Sequence, residues 1–290
     1  MIHQFRFQTG LLLRGEEKLI EQEYQVISDV IYGEADGKPL LLDIAMPSQP
    51  VGKLPIALCI HGGAWLWGDK AEPSESGMFI RRFAAHGYFS VSINYRLSNE
   101  AIYPAQLHDA KAAVRWLRAN AETYGADPDR IGVMGHSAGG HLAALLGTTG
   151  QVGELEGNNG NLGVSSSVQA VATWSAPIDF LQMLVGFHDS PDSLESQLIG
   201  GYVREHPEKA KRASPLTYVT DTAPPFLIIH GTEDEIIPFN QAEILHGALL
   251  NSSILAIKGA NHGLQGGNFG WEDVLRTTVI FFDRHVRNTV

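Results

Sequence analysis

Residues 131–142 read IGVMGHSAGGHL, a short apolar run that passes through a glycine, a histidine and a serine into small and aliphatic residues of helical composition. A buried strand that turns at once into a helix has this form. Gly135 and Gly139 flank the serine in the pattern G-x-S-x-G, and a sharp strand-to-helix turn brings their backbones too close to neighbouring atoms for a Cβ. Ser137 then stands at the carboxyl edge of a sheet with the positive end of a helix dipole beneath it. A helix-initiating serine in a tight turn reads the same way locally. Whether Ser137 is a nucleophile therefore depends on a base, an acid and oxyanion donors elsewhere in the chain.

Working outward, apolar and β-branched runs recur at Tyr24 to Ile31, Leu40 to Met46, Ile56 to Ile60, Phe89 to Ile93, Ile131 to Met134, Val168 to Trp174, Phe226 to Ile229 and Ile254 to Ile257. Most are continuous and bounded by Gly, Pro or Asn, as buried parallel strands are. Helical patterns separate them from the third strand onward, near Glu75 to His86, Tyr103 to Asn120, Ala138 to Gly147, Asn240 to Leu250 and Trp271 to Arg287. Alternation of this kind predicts an α/β fold, a mostly parallel eight-stranded sheet with helices on both faces. The first two strands are joined by EADGKP, too short for a crossover helix, so an N-terminal antiparallel hairpin leads into the sheet. Residues 1–290 read as one domain, with 1–22 as an N-terminal extension. Residues 150–167, rich in Gly, Asn and Ser, read as a long surface loop; their Glu154, Glu156 and Asn158 match no calcium-loop spacing. Residues 178–222 are a larger excursion between two strands and a candidate lid.

Composition narrows the function. Lys and Arg number 21 against 32 Asp and Glu, a net charge of −11, which argues against nucleic-acid or anionic-membrane partners. The single cysteine, Cys59, lies inside IALCI and reads as a buried structural thiol, so neither a disulfide nor a cysteine metal cluster is expected. The first residues carry a three-leucine run followed by charges, unlike a secretory signal, so a cytoplasmic location is expected unless a signal was removed.

A serine hydroxyl needs a base that is itself oriented by an acid. In a sheet of this type the acid and then the histidine follow the serine in the chain, each on a loop after a strand. PPFLIIHG is followed by TEDEIIP, and SILAIKGA by NHG, which selects Asp234 and His262. Glu233 and Glu235 compete with Asp234, but H-G-x-x-D-x-x-I-P places the aspartate just past the strand end. His136 and His141, beside the serine in sequence, are poorly placed for its proton. Oxyanion donors come from HGGAWLWGDK, where consecutive glycines let backbone amides turn inward: Gly63 and Ala64, with Gly62 as a substitute, joined by Ala138. Trp65 and Trp67 either wall a substrate pocket or fill space beneath this loop. Asn94, Tyr95, Arg96 and Asp109 read as structural hydrogen-bonding and ion-pair residues, and His61 as orienting its loop.

HGGAW, NYRL, YPAQLHDAKAAVRWLR, GHSAGG, HGTEDEIIP and NHG, in this order, resemble the α/β-hydrolase superfamily over about residues 24–285, and within it esterases and lipases with an HGG-type oxyanion loop. HGGAW and GHSAGGHLA are most similar to bifunctional acetyl and feruloyl carbohydrate esterases. The resemblance implies a serine carboxylesterase that cleaves short-chain acyl esters, including esters of carbohydrates, through an acyl-enzyme. It implies no cofactor and no metal. Kynurenine formamidases share an HGG-x-W loop, so amide or formamide hydrolysis is the alternative, and a non-catalytic binding protein on this fold is a third reading.

Overall fold

β3 (Leu54–Ile60) is buried at every position, and its side chains alternate between the two faces of a sheet, as strand geometry requires. Ile56, Leu58 and Ile60 enter one apolar core and Ala57 and Cys59 the other. The computed structural model describes residues 22–71, 73–267 and 269–287; apart from Gln22, the expected N-terminal extension lies outside them. β1 (Tyr24–Ala35), β2 (Lys38–Pro47), β4 (Phe89–Ile93), β5 (Ala126–His136), β6 (Ala170–Trp174), β7 (Phe226–Gly231) and β8 (Ser252–Ile257) complete one sheet in the order β1-β2-β4-β3-β5-β6-β7-β8. β1–β2 and β2–β4 are antiparallel and the other pairs parallel. This is the α/β-hydrolase architecture that the sequence implied. The hairpin is tighter than EADGKP suggested, because only Asp36 and Gly37 lie between the strands, both at positive φ (53° and 74°), the conformation that Asp-Gly favours in a two-residue turn.

The helices divide between the two cores. Residues of α2 (Ala105–Asn120), α3 (Ala138–Thr148) and α6 (Asn240–Ala248) enter the first; residues of α1 (Glu75–Ala85) and α7 (Trp271–Phe282) enter the second. The charged residues of α2 hold its neighbouring loops. Arg96 grips the fully buried Asp109 through Nε and Nη2 (2.9 and 2.8 Å), and its backbone N–H donates to the same carboxylate. The 150–167 loop is pinned rather than free, since Glu156 accepts from the buried Lys111 and Arg115 and Asn159 donates to Asp109. Residues 178–222 form short 3-10 turns with α4 (Leu194–Ile199) and α5 (Pro207–Ala213). Their N-terminal end docks on α6, where Gln241 Oε1 accepts the N–H groups of Ile178 and Asp179.

Replacing Arg96 by Ala leaves the Asp109 carboxylate buried without its cation. The expected loss is about 3–5 kcal/mol of stability, read as a lower urea midpoint with unchanged slope.

Candidate active site

β5 ends at His136, and the chain reverses into α3 through one residue. Ser137 adopts φ 54°, ψ −121°, a conformation that costs a non-glycine residue roughly 1–3 kcal/mol and persists only where the surroundings enforce it. Here they do. The Ser137 N–H donates to the Trp174 carbonyl (2.8 Å), and the first turn of α3 presses on the end of β3 so closely that a Cβ on Gly139 would strike the carbonyls of Ile60 and His61. The result is a half-buried serine side chain at the carboxyl edge of the sheet.

Two other strand ends bring partners to it. His262, in the loop after β8 and 125 residues from Ser137 along the chain, places Nε2 3.0 Å from Ser137 Oγ. Its Nδ1 lies 2.9 and 3.0 Å from the two oxygens of Asp234, in the loop after β7. The Asp234 carboxyl group is wholly buried. Its Oδ1 also accepts the N–H groups of Ile236 and Ile237 (2.9 and 2.8 Å), and its Oδ2 lies 3.1 Å from His230 Nε2. Burial alone would raise its pKa, but the bonds from His230, His262 and Ile237 outweigh that and hold it well below the usual carboxylate range. Glu233 and Glu235 are exposed, and Glu235 reaches only the His262 backbone N–H, at 3.4 Å.

The loop after β3 lies over the same point, since a Cβ on Gly62 would approach the His136 carbonyl and Ser137 Cβ. Gly63, Ala64 and Trp65 all have positive φ (101°, 53° and 57°), and the Gly63 carbonyl accepts the N–H groups of Leu66 and Trp67 (3.0 and 2.9 Å). At Gly63 only glycine fits, because a Cβ would run into the Trp67 carbonyl. This tight turn leaves the N–H groups of Gly63 and Ala64 without a protein acceptor among the described residues. Ala138, first in α3, has no intrahelical acceptor either. His61 holds the loop from below, stacked on Tyr95 (centroids 4.3 Å apart) and accepting the Tyr95 hydroxyl at its carbonyl (3.1 Å).

The two tryptophans differ. Trp65, expected as a possible pocket wall, is 2% exposed and fills space beneath the loop: its Nε1–H donates to His141 Nδ1 (3.1 Å) and its ring packs edge-on to Phe180. Trp67 is 59% exposed and is the one free to meet a ligand. His141 is no base, because its Nδ1 accepts from Trp65, its Nε2–H donates to the Ala213 carbonyl (2.7 Å), and burial lowers its pKa to about 4. His136 bridges Glu75 and the His262 carbonyl. Sequence reading passed over Glu75 and His230. His230 lies four residues before Asp234, inside the same HGTED run, so a local signal existed; the contact of Glu75 with His136 spans 61 residues and left none.

The BD-FAE family model matches residues 42–249, most of the described chain. The chain belongs to the BD-FAE family. The matched stretch includes Ser137 and Asp234 and ends before His262. Among curated proteins, this BD-FAE chain is 34% identical to Esterase LipC of Mycobacterium tuberculosis over 81% of its own length and 59% of the relative's. It is 32% identical to Esterase LipQ of the same organism, over 79% and 54%. It thus spans between half and three-fifths of these relatives. Among solved structures, a truncated carbohydrate esterase from gut microbiota superposes with a TM-score of 0.77 at 31% identity, covering 92% of this chain and 97% of that one. Thermogutta terrifontis esterase 2 with propionate bound superposes at 0.72 and 25% identity, covering 92% and 95%.

A Gly139→Ala variant tests the strand-to-helix turn at Ser137. The added methyl forces α3 away from β3, with an expected loss of roughly 1–3 kcal/mol in urea unfolding; an unchanged midpoint would mean that the close approach is not a constraint.

Proposed function

We propose that this chain is a serine carboxylic ester hydrolase that cleaves short-chain acyl esters through an acyl-enzyme, and that its natural substrates are acetyl or feruloyl esters of carbohydrates. The observation that carries the reading is the continuous relay from Ser137 Oγ through His262 to the buried Asp234, at 3.0 and 2.9 Å, beside the N–H groups of Gly63, Ala64 and Ala138, which have no protein acceptor among the described residues.

The Ser137 hydroxyl donates to His262 Nε2. As Oγ attacks the ester carbonyl carbon, His262 takes its proton, and the carbonyl oxygen becomes an oxyanion that accepts from the N–H groups of Gly63, Ala64 and Ala138. Asp234, ionised and acceptor to Nδ1–H, keeps the imidazole in the required tautomer and stabilises its cation. The proton passes to the leaving alcohol, the C–O bond breaks, and a water activated by His262 then hydrolyses the acyl-serine. Apart from the substrate and that water, protein groups supply every role in these steps. Supporting the substrate class, the gut-microbial carbohydrate esterase is similar over nearly the full length of both chains, and the exposed Trp67 ring offers a face to a sugar or an aromatic acyl group. Val185 and Phe187, exposed on the 178–222 segment, stand on an element tied to the acid loop by His188 Nε2–H donating to the Ile236 carbonyl (2.8 Å); we assign that segment as the cover of the site.

Ser137→Ala is expected to abolish hydrolysis of p-nitrophenyl acetate while leaving circular dichroism unchanged, and retained activity would overturn the assignment. Because Asp234 stays ionised far below the range in which a histidine titrates, the acid limb of log kcat/KM against pH should have a slope of one; a slope of two would mean that the carboxylate titrates as well. Rates on acetylated xylan and methyl ferulate should exceed those on N-formylkynurenine. The reverse order would transfer the reading to formamide hydrolysis.

A further inference from the structure

The histidine directly before Ser137 is engaged at both ring nitrogens. His136, 6% exposed, places Nε2 2.9 Å from the backbone carbonyl of His262 and Nδ1 2.8 Å from Glu75 Oε2. A carbonyl oxygen only accepts, so Nε2 must carry a proton. A neutral ring would then turn the Nδ1 lone pair toward a carboxylate, so contact at 2.8 Å requires a second proton between them. Glu75 opens α1 behind the Ser74 cap, where a helix N-terminus favours negative charge. The proton therefore resides on the imidazole.

We propose that Glu75 and His136 are positioning residues for the base: Glu75 holds His136 as an imidazolium, whose Nε2–H fixes the His262 carbonyl and hence the loop that presents the His262 ring to Ser137. This rests on the esterase reading above and adds the element that aims its base. The groups around His136 are Glu75 from α1, the His262 ring 4.9 Å away, the Trp271 ring from α7 at 6.4 Å, Asp234 beyond His262, and His61, which faces Glu75. Burial disfavours the cation, but the Glu75 bond and charge outweigh it and raise the His136 pKa above its ordinary value. The strut is thus intact below that raised pKa. It weakens as the pH rises through it, when the lone pair of Nδ1 meets the carboxylate.

The test compares Glu75→Ala, Glu75→Gln and His136→Ala on a short acyl ester, with Ser137→Ala in parallel. Both alanine variants should lower kcat about tenfold or more with KM within about twofold, since a misdirected base acts on chemistry rather than binding. Glu75→Gln, whose amide can donate to a neutral Nδ1 while Nε2–H stays on the carbonyl, should recover most of that loss and lack the alkaline decline of the wild type. Alanine variants within about twofold of wild-type kcat, or an alkaline limb unchanged in Glu75→Gln, would overturn the proposal. If His136→Ala does not fold, the pH profile of Glu75→Gln decides alone. An active Ser137→Ala would overturn the esterase reading itself, whereas an inactive one beside unimpaired Glu75→Ala overturns only the positioning role.

Discussion

The first turn of α3 lies against the carboxyl end of β3 with only the hydrogens of Gly139 between them, and the site is built around that contact. β3 and β5 are neighbouring parallel strands, with Ile60 paired to Gly135, so their carboxyl ends deliver two segments side by side: the HGG loop from β3 and the serine from β5. A helix that stood farther off would separate Ser137 from the N–H groups of Gly63 and Ala64. The positive φ of Ser137 is sustained by the same packing, which is why a conformation unfavourable in isolation is stable here.

The second organising term is the buried charge of Asp234. An ionised carboxylate without solvent needs several donors, and this one has them: His262 on one side, His230 on the other, and the backbone N–H groups of Ile236 and Ile237. Those contacts fix the acid loop as much as they fix the charge. The His262 loop is held from two directions, by Asp234 at its ring and by His136 at its carbonyl, so its imidazole has little freedom to leave Ser137.

Ser137, Asp234 and His262 were legible in the sequence because each comes directly after a recognisable apolar run, and a doubly wound sheet brings the carboxyl ends of its strands to one edge. The eight strands were legible for the same reason. Residues whose roles depend on packing across the fold were not. Trp65 carries the same signature as Trp67, and only the geometry of the loop sends one inward to His141 and the other outward. Glu75 reads as an ordinary acidic residue at a helix start, and no spacing announces its partner on β5. The Asp36-Gly37 turn was present in the residues of the hairpin, but its length was set by pairing that extends β1 to Ala35 and starts β2 at Lys38.

The most direct measurement is peptide mapping by mass spectrometry after a fluorophosphonate has reacted with the folded protein. A relay that activates Ser137 predicts a single adduct on the peptide containing GHSAGG, absent when the protein is unfolded before exposure. An adduct on another serine, or none on the folded protein, would contradict the account.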